Sequence, residues 1–69
     1  MMRHWPPFDV WYGDLLHIAY SWRLSRYEVE SIPLDWYVWC WRKQWHPGDA
    51  LHVAMVDVGL MNPNGYFDV

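Results

Sequence analysis

The sequence predicts an all-α fold, a small domain of three to four short helices. Apolar residues recur every three or four positions in the first third of the chain, at Trp11, Leu15, Ile18 and Trp22. A capping box at Ser25-Arg26-Tyr27-Glu28 is a strong local signal for the start of a helix. Prolines and glycines then divide the rest of the chain into segments of helical length.

The composition indicates a single packed domain over residues 1–69. The chain is 54% hydrophobic and 20% aromatic, with seven tryptophans, which is too apolar for a disordered protein. A chain this short buries only about 60% of its surface on folding, so a second subunit or unusually good packing is expected to support it. Cys40 has no cysteine partner. An unpaired thiol is typical of a reducing compartment, and we expect a cytoplasmic protein.

Charge and hydropathy argue against two kinds of partner. No apolar run approaches the roughly 18 residues of a membrane span, and Met1 to Pro7 lack the apolar core of a signal peptide. The net charge is −3, with five lysines and arginines. Binding to nucleic acid or to an anionic membrane surface draws on many cations, so we expect neither partner.

The first half of the chain reads as an arm and two helices. Residues 1–8 are predicted to form an extended arm because Pro6 and Pro7 favour extended backbone. Asp9 is the expected N-cap of a first helix over about 10–22. The capped second helix is short, since Pro33 should end it near Ser31 or Ile32.

The second half offers two further helices, each with a strand as its alternative. Pro33 suits the first turn of a third helix that runs to about Trp45, although the six residues 36–41 also have high β-propensity. Asp49 is the expected N-cap of a fourth helix over 50–58, with a short C-terminal strand over 52–58 as the alternative. Gly59 should close that helix, and residues 62–69 form a turn and a tail.

The third helix has two apolar faces. One face holds Leu34, Tyr37, Val38, Trp41 and Trp45, and the other holds Trp36, Trp39 and Cys40 beside Lys43. In one interpretation the helix is central, covered by the first helix and by the C-terminal segment. In the other, the second face meets another copy or a protein partner, because so short a chain has few elements left to cover both faces.

The candidate partner-binding residues form two groups. The first is Trp36 and Trp39, with Arg42 and Lys43 at their rim, since aromatic residues and arginine are enriched at the energetic centres of interfaces. The second is the corner formed by Arg23, Arg26 and Tyr27, which suits an acidic partner or a phosphate, or else is an ordinary solvated turn.

Catalysis, metal binding and DNA binding are less favoured. The nearest histidine pair, His46 and His52, is six positions apart, which is not a helical ligand spacing, so we expect no metal or other cofactor. Cys40 with His46 lacks an orienting third group, and we expect no enzyme. A helix-turn-helix reading would place Glu28 and Glu30 in the DNA-reading helix, where they would repel phosphate.

The stretch from Trp22 to Leu34, with its capped Ser25-Arg-Tyr-Glu28-Val29 segment and the Ile32-Pro33-Leu34 step, resembles short tail-assembly proteins of tailed bacteriophages. The resemblance implies a non-catalytic protein that holds a structural protein before assembly. The leading hypothesis is therefore a self-associating adaptor or chaperone-like protein. The alternative is a small inhibitor that docks on a host enzyme or regulator.

Overall fold

The computed structural model describes residues 5–60, which form four helices and no strand. The helices are α1 (Phe8–Ser21), α2 (Arg26–Glu30), α3 (Leu34–Arg42) and α4 (Pro47–Asp57). The all-α prediction is confirmed, and the strand alternatives over 36–41 and 52–58 are wrong. The predicted turn and tail over 62–69, like the first four residues of the arm, lie outside the described residues.

A single core joins the four helices. Its buried side chains come from every helix and from the turns between them. The largest of them are Trp11, Leu15, Val29, Tyr37, Cys40, Leu51 and Met55. α4 packs chiefly on α1, and α2 and α3 close the remaining sides.

The first helix begins earlier than the sequence indicated. Asp9 was expected to be the N-cap, but α1 starts at Phe8 and its N-cap is Pro7, in extended backbone with no side-chain hydrogen bond. The first main-chain bond runs from the Trp11 N–H to the Pro7 carbonyl (3.0 Å). Asp9 therefore lies in the first turn, where its negative charge still complements the helix dipole.

The predicted capping box of α2 is confirmed. The Glu28 N–H donates to the Ser25 hydroxyl (3.1 Å), and the Ser25 N–H donates to the Glu28 carboxylate (2.7 Å). Leu24 and Val29, the residues expected to staple this helix start, are both buried in the core. A helix of five residues is unstable by itself, so α2 depends on the capping box at its start and on the burial of Val29 near its end.

The predicted bounds of the third and fourth helices need correction. α3 ends at Arg42 rather than near Trp45, and Pro33 is its N-cap rather than its first residue. α4 starts at Pro47, so the His46-Pro47-Gly48 segment begins a helix instead of only ending one. Its cap is His46 rather than Asp49, because the His46 Nδ1 accepts from the Gly48 N–H (3.0 Å).

Three helices end in the same way, in a left-handed residue that reverses the chain. The positive φ angles are 63° at Arg23, 61° at Gln44 and 82° at Gly59. At each site the next residue donates back into the helix, as in the bond from the Leu60 N–H to the Met55 carbonyl (2.8 Å). The prediction for Gly59 is confirmed. α3 ends before its predicted end because Gln44 adopts the left-handed conformation, although it is not a glycine.

The N-terminal segment is held against the end of α3. The Trp5 indole N–H donates to the Trp41 carbonyl (2.8 Å), and the Trp41 indole N–H donates to the Pro6 carbonyl (2.8 Å). Phe8 packs edge-on against the Trp41 ring, with centroids 5.7 Å apart. The described part of the predicted arm is thus packed on the domain, and its last residue, Phe8, is helical.

Gln44→Gly should raise the free energy of unfolding by about 0.5–1 kcal/mol, because glycine adopts a left-handed φ without the steric cost of a side chain. Urea unfolding followed by circular dichroism measures the change. Gly59→Ala is the converse control and should lower the midpoint. An unchanged or lower midpoint for Gln44→Gly would show that this conformation carries no strain.

Candidate functional site

Three tryptophans form a cluster where α3 meets the start of α4. Trp36 and Trp39 stack with ring centroids 5.6 Å apart and an interplanar angle of 15°. Trp45 meets both edge-on, at 5.6 Å from Trp36 and 5.7 Å from Trp39. These are favourable aromatic geometries, so each ring restricts the motion of the other two.

The two stacked rings differ in how far the fold covers them. Trp36 is half-buried, and its indole N–H donates to the Ala50 carbonyl on α4 (3.2 Å). Trp39 keeps 45% of its surface exposed. The Lys43 ammonium lies 5.8 Å from the Trp39 ring centroid, within the range of a cation–π contact. The structure thus brings Trp36, Trp39 and Lys43 together, with Trp39 outermost.

The predicted division of α3 into two faces is partly wrong. Cys40 was placed beside Trp36 and Trp39 on the uncovered face, but it is fully buried. Leu34 was placed on the packed face, but it is 54% exposed. Tyr37 is fully buried as expected, and its hydroxyl donates to the Val29 carbonyl (2.9 Å). The core therefore contacts the stripe of Tyr37 and Cys40, with Trp36 and Trp41 on either side of it.

The apolar surface continues from α3 onto α4. A groove of about 310 Å³ runs between the two helices and is lined by Ile32, Pro33, Trp36, Val53, Ala54 and Asp57. Val53 is 42% exposed at its edge. Trp36, Trp39, Lys43 and Val53 are together called the Trp39 face below. Sequence reasoning missed Val53, because nothing in the local pattern shows which side of α4 borders α3.

The Arg23–Tyr27 corner is a separate surface. Arg26 forms an exposed ion pair with Glu30 one turn further along α2 (2.8 Å), a contact worth little in water. Tyr27 is among the most exposed aromatic residues, and so is Tyr20 on α1, which no pattern in the sequence singles out. Arg42 is exposed at the end of α3, next to Lys43. No described contact joins this corner to the Trp39 face.

Burial controls the titration of the core groups. It raises the pKa of the Cys40 thiol to about 11, so the thiol stays protonated and unreactive at neutral pH. Burial also raises the pKa of Tyr37 well above its ordinary value. The pKa of Tyr12 is raised as well, by burial first and by the charge of Glu30 second. These groups are protonated structural residues of the core.

Histidines and acids do not converge within the described residues. Among residues 5–60, no three histidine, cysteine or acidic side chains lie close enough to hold a metal ion. His46, one of the candidates from the sequence, caps α4 through its Nδ1. In the same part of the chain, every helix is too short or too polar to cross a membrane.

No family model matches this chain, and neither a curated protein nor a solved structure shows significant similarity to it. The likeness of residues 22–34 to phage tail-assembly proteins therefore stays a prediction.

Replacing Trp36 and Trp39 by alanine, one at a time, should show which of the two stacked rings contributes to stability. Trp36→Ala should lower the free energy of unfolding by about 3 kcal/mol, because it removes a half-buried ring and the hydrogen bond to Ala50. Trp39→Ala should cost less, about 1 kcal/mol, since 45% of its surface is exposed and the structure shows no main-chain hydrogen bond from its ring within residues 5–60. Urea unfolding measures both. Equal losses would show that Trp39 belongs to the core.

Cys40 should make stability fall as the pH rises. Above the ordinary thiol pKa near 9.0 the unfolded chain releases a proton that the native state keeps until about pH 11, so alkali favours unfolding. Urea midpoints at about pH 8 and pH 10 measure the effect, and Cys40→Ala should reduce the difference between them. Rapid thiol labelling of the native protein at pH 8 would contradict this burial.

Proposed function

We propose that the protein is a non-catalytic adaptor or chaperone-like protein that binds another protein through the Trp39 face. The observation that carries the proposal is the exposed ring of Trp39, held between Trp36 and Lys43 on the outer side of α3. Tryptophan is the residue type most typical of interface centres, and its value there comes from excluding water over a large apolar area.

The packing of the other tryptophans supports this assignment. Trp5, Trp11, Trp36 and Trp41 each donate their indole N–H to a main-chain carbonyl, so the fold itself accounts for them. Trp39 has an exposed ring and makes its contacts with Trp36, Trp45 and Lys43. A ring that adds little to the core but is held by other rings is suited to contact a second molecule.

The surroundings of Trp39 fit a protein partner. Val53 extends the apolar area onto α4, and the groove beside Trp36 can receive a side chain from outside. Lys43 and Arg42 supply cations at one edge, as a polar rim does in transient interfaces. The same features suit an adaptor that holds an assembly protein, as the likeness to phage proteins suggests. The compartment that we propose for it is a reducing cytoplasm.

Site-specific photo-crosslinking tests the proposal. A photoreactive phenylalanine analogue placed at position 39 should give a covalent protein adduct in cells, because that side chain would contact the partner directly. The same group at Ser21, exposed at the end of α1, is the control. Mass spectrometry of the adduct identifies the partner, and whether it is an assembly protein or an inhibited enzyme separates the adaptor from the inhibitor.

The proposal fails if position 39 gives no more adduct than position 21 at equal expression. Circular dichroism must show that both substituted proteins keep the helical content of the native protein, so that a missing adduct reports on the surface rather than on folding. An adduct from position 21 alone would move the binding surface to the exposed side of α1.

A further inference from the structure

The outer stripe of α3 carries an evenly spaced charge pattern centred on Trp39. Asp35, Trp39 and Lys43 lie four positions apart, so they follow one another along the same side of the helix. All three are exposed. At 1.5 Å per residue, the backbone positions of Asp35 and Lys43 lie about 6 Å along the axis on either side of Trp39, one carrying an acid and one a base.

We infer that the partner of the Trp39 face is a second copy of this chain, bound antiparallel across a twofold axis at Trp39. This inference rests on the proposed function, because it concerns the same surface: the second copy covers the Trp39 face until a different protein displaces it. Rotation by 180° about Trp39 puts Asp35 of each copy opposite Lys43 of the other. It also brings the two Trp39 rings together at the centre, where a twofold interface is self-complementary.

The charges of the α3–α4 hairpin agree with this arrangement. At the closed end, near the turn between the helices, Arg42 and Lys43 outweigh Asp49. At the open end, Asp35 and Asp57 are acidic, and neither helix has a lysine or arginine in that part of its length. An antiparallel copy sets each basic end against an acidic end, whereas a parallel copy would set like charges together.

The groove adds a reason for a second copy rather than a loose surface contact. Asp57 and Val53 line it beside Trp36, on the side of the stripe that faces α4. In the antiparallel pair, the basic turn of one copy lies over this acidic end of the other. Burying Trp39 and Val53 twice, once per copy, supplies the apolar centre that an interface needs.

A pair of charge reversals tests the arrangement. Sedimentation equilibrium of the full chain at micromolar concentration should give twice its 8.5 kDa mass. Lys43→Asp or Asp35→Lys alone should each weaken dimerisation about tenfold, because each sets like charges opposite one another at both ends of the interface. An equimolar mixture of the two variants should restore dimerisation, since both contacts then pair opposite charges.

A matched control separates this effect from net charge and helix stability. Asp9→Lys reverses an acid in the first turn of α1, as Asp35→Lys does in α3. It should leave the dimer unchanged. Trp39→Ala should weaken dimerisation about a hundredfold while the helical content is retained, because each copy contributes one Trp39 ring to the centre of the interface.

Three results would overturn the inference. They are an 8.5 kDa species alone at every concentration reached, single charge reversals that leave the dimer intact, and a mixture that fails to restore it. The crosslinking experiment distinguishes this failure from that of the proposed function. An adduct from position 39 with a different protein, together with a monomer in sedimentation, keeps the binding surface and rejects the second copy as its partner.

Discussion

The arrangement of the helices depends on indole N–H groups that donate to main-chain carbonyls. A buried tryptophan needs an acceptor for its N–H, and in this fold the acceptors lie on other elements of the chain. Trp11 reaches the Trp45 carbonyl from α1 (2.9 Å), and Trp36 joins α3 to α4 through Ala50 (3.2 Å). Within residues 5–60 no buried side-chain nitrogen or oxygen lacks a partner. Trp11 fills part of the core and the other bonded rings pack against it, and their N–H groups join the elements that pack together.

The need for a main-chain acceptor separates the tryptophans that hold the fold together from Trp39. The aromatic content alone suggests one large apolar surface. In the structure, however, Trp11 is buried in the core and most of the other tryptophans pack against it partly buried, where they add buried area that a longer chain would gain from further helices. Trp39 is the exception on α3, because the stripe of Tyr37 and Cys40 faces the core and leaves position 39 on the opposite side. The proposed binding surface is therefore defined by the side chains that the packing of α3 leaves uncovered.

Local chemistry explains which features the sequence could predict. The capping box at Ser25 and Glu28 was predictable because its hydrogen bonds join residues three apart. Asp9 and Asp49 were wrong as N-caps because a proline two positions before each of them already begins the helix or caps it. The end of α3 was wrong because Gln44 takes a left-handed conformation that sequence patterns reserve for glycine. Whether Cys40 and Leu34 are buried depends on where α1 and α4 pack against α3, and helical periodicity gives no information about that packing.

The rigidity of the Trp39 face links the fold to its proposed role. Trp39 stacks on Trp36, Trp36 is bonded to α4, and Trp45 closes the cluster edge-on, so the exposed ring has little freedom to lose when a partner binds. Ordering a side chain opposes association by about 0.5–1.5 kcal/mol, and a ring that is already held avoids most of that cost. Sequence reasoning found Trp36 and Trp39 as a pair but gave them equal roles. In the structure Trp36 is bonded to α4 and supports the stacked ring of Trp39, which stays partly exposed. That inequality lets an 8.5 kDa chain keep a tryptophan exposed on a fixed base.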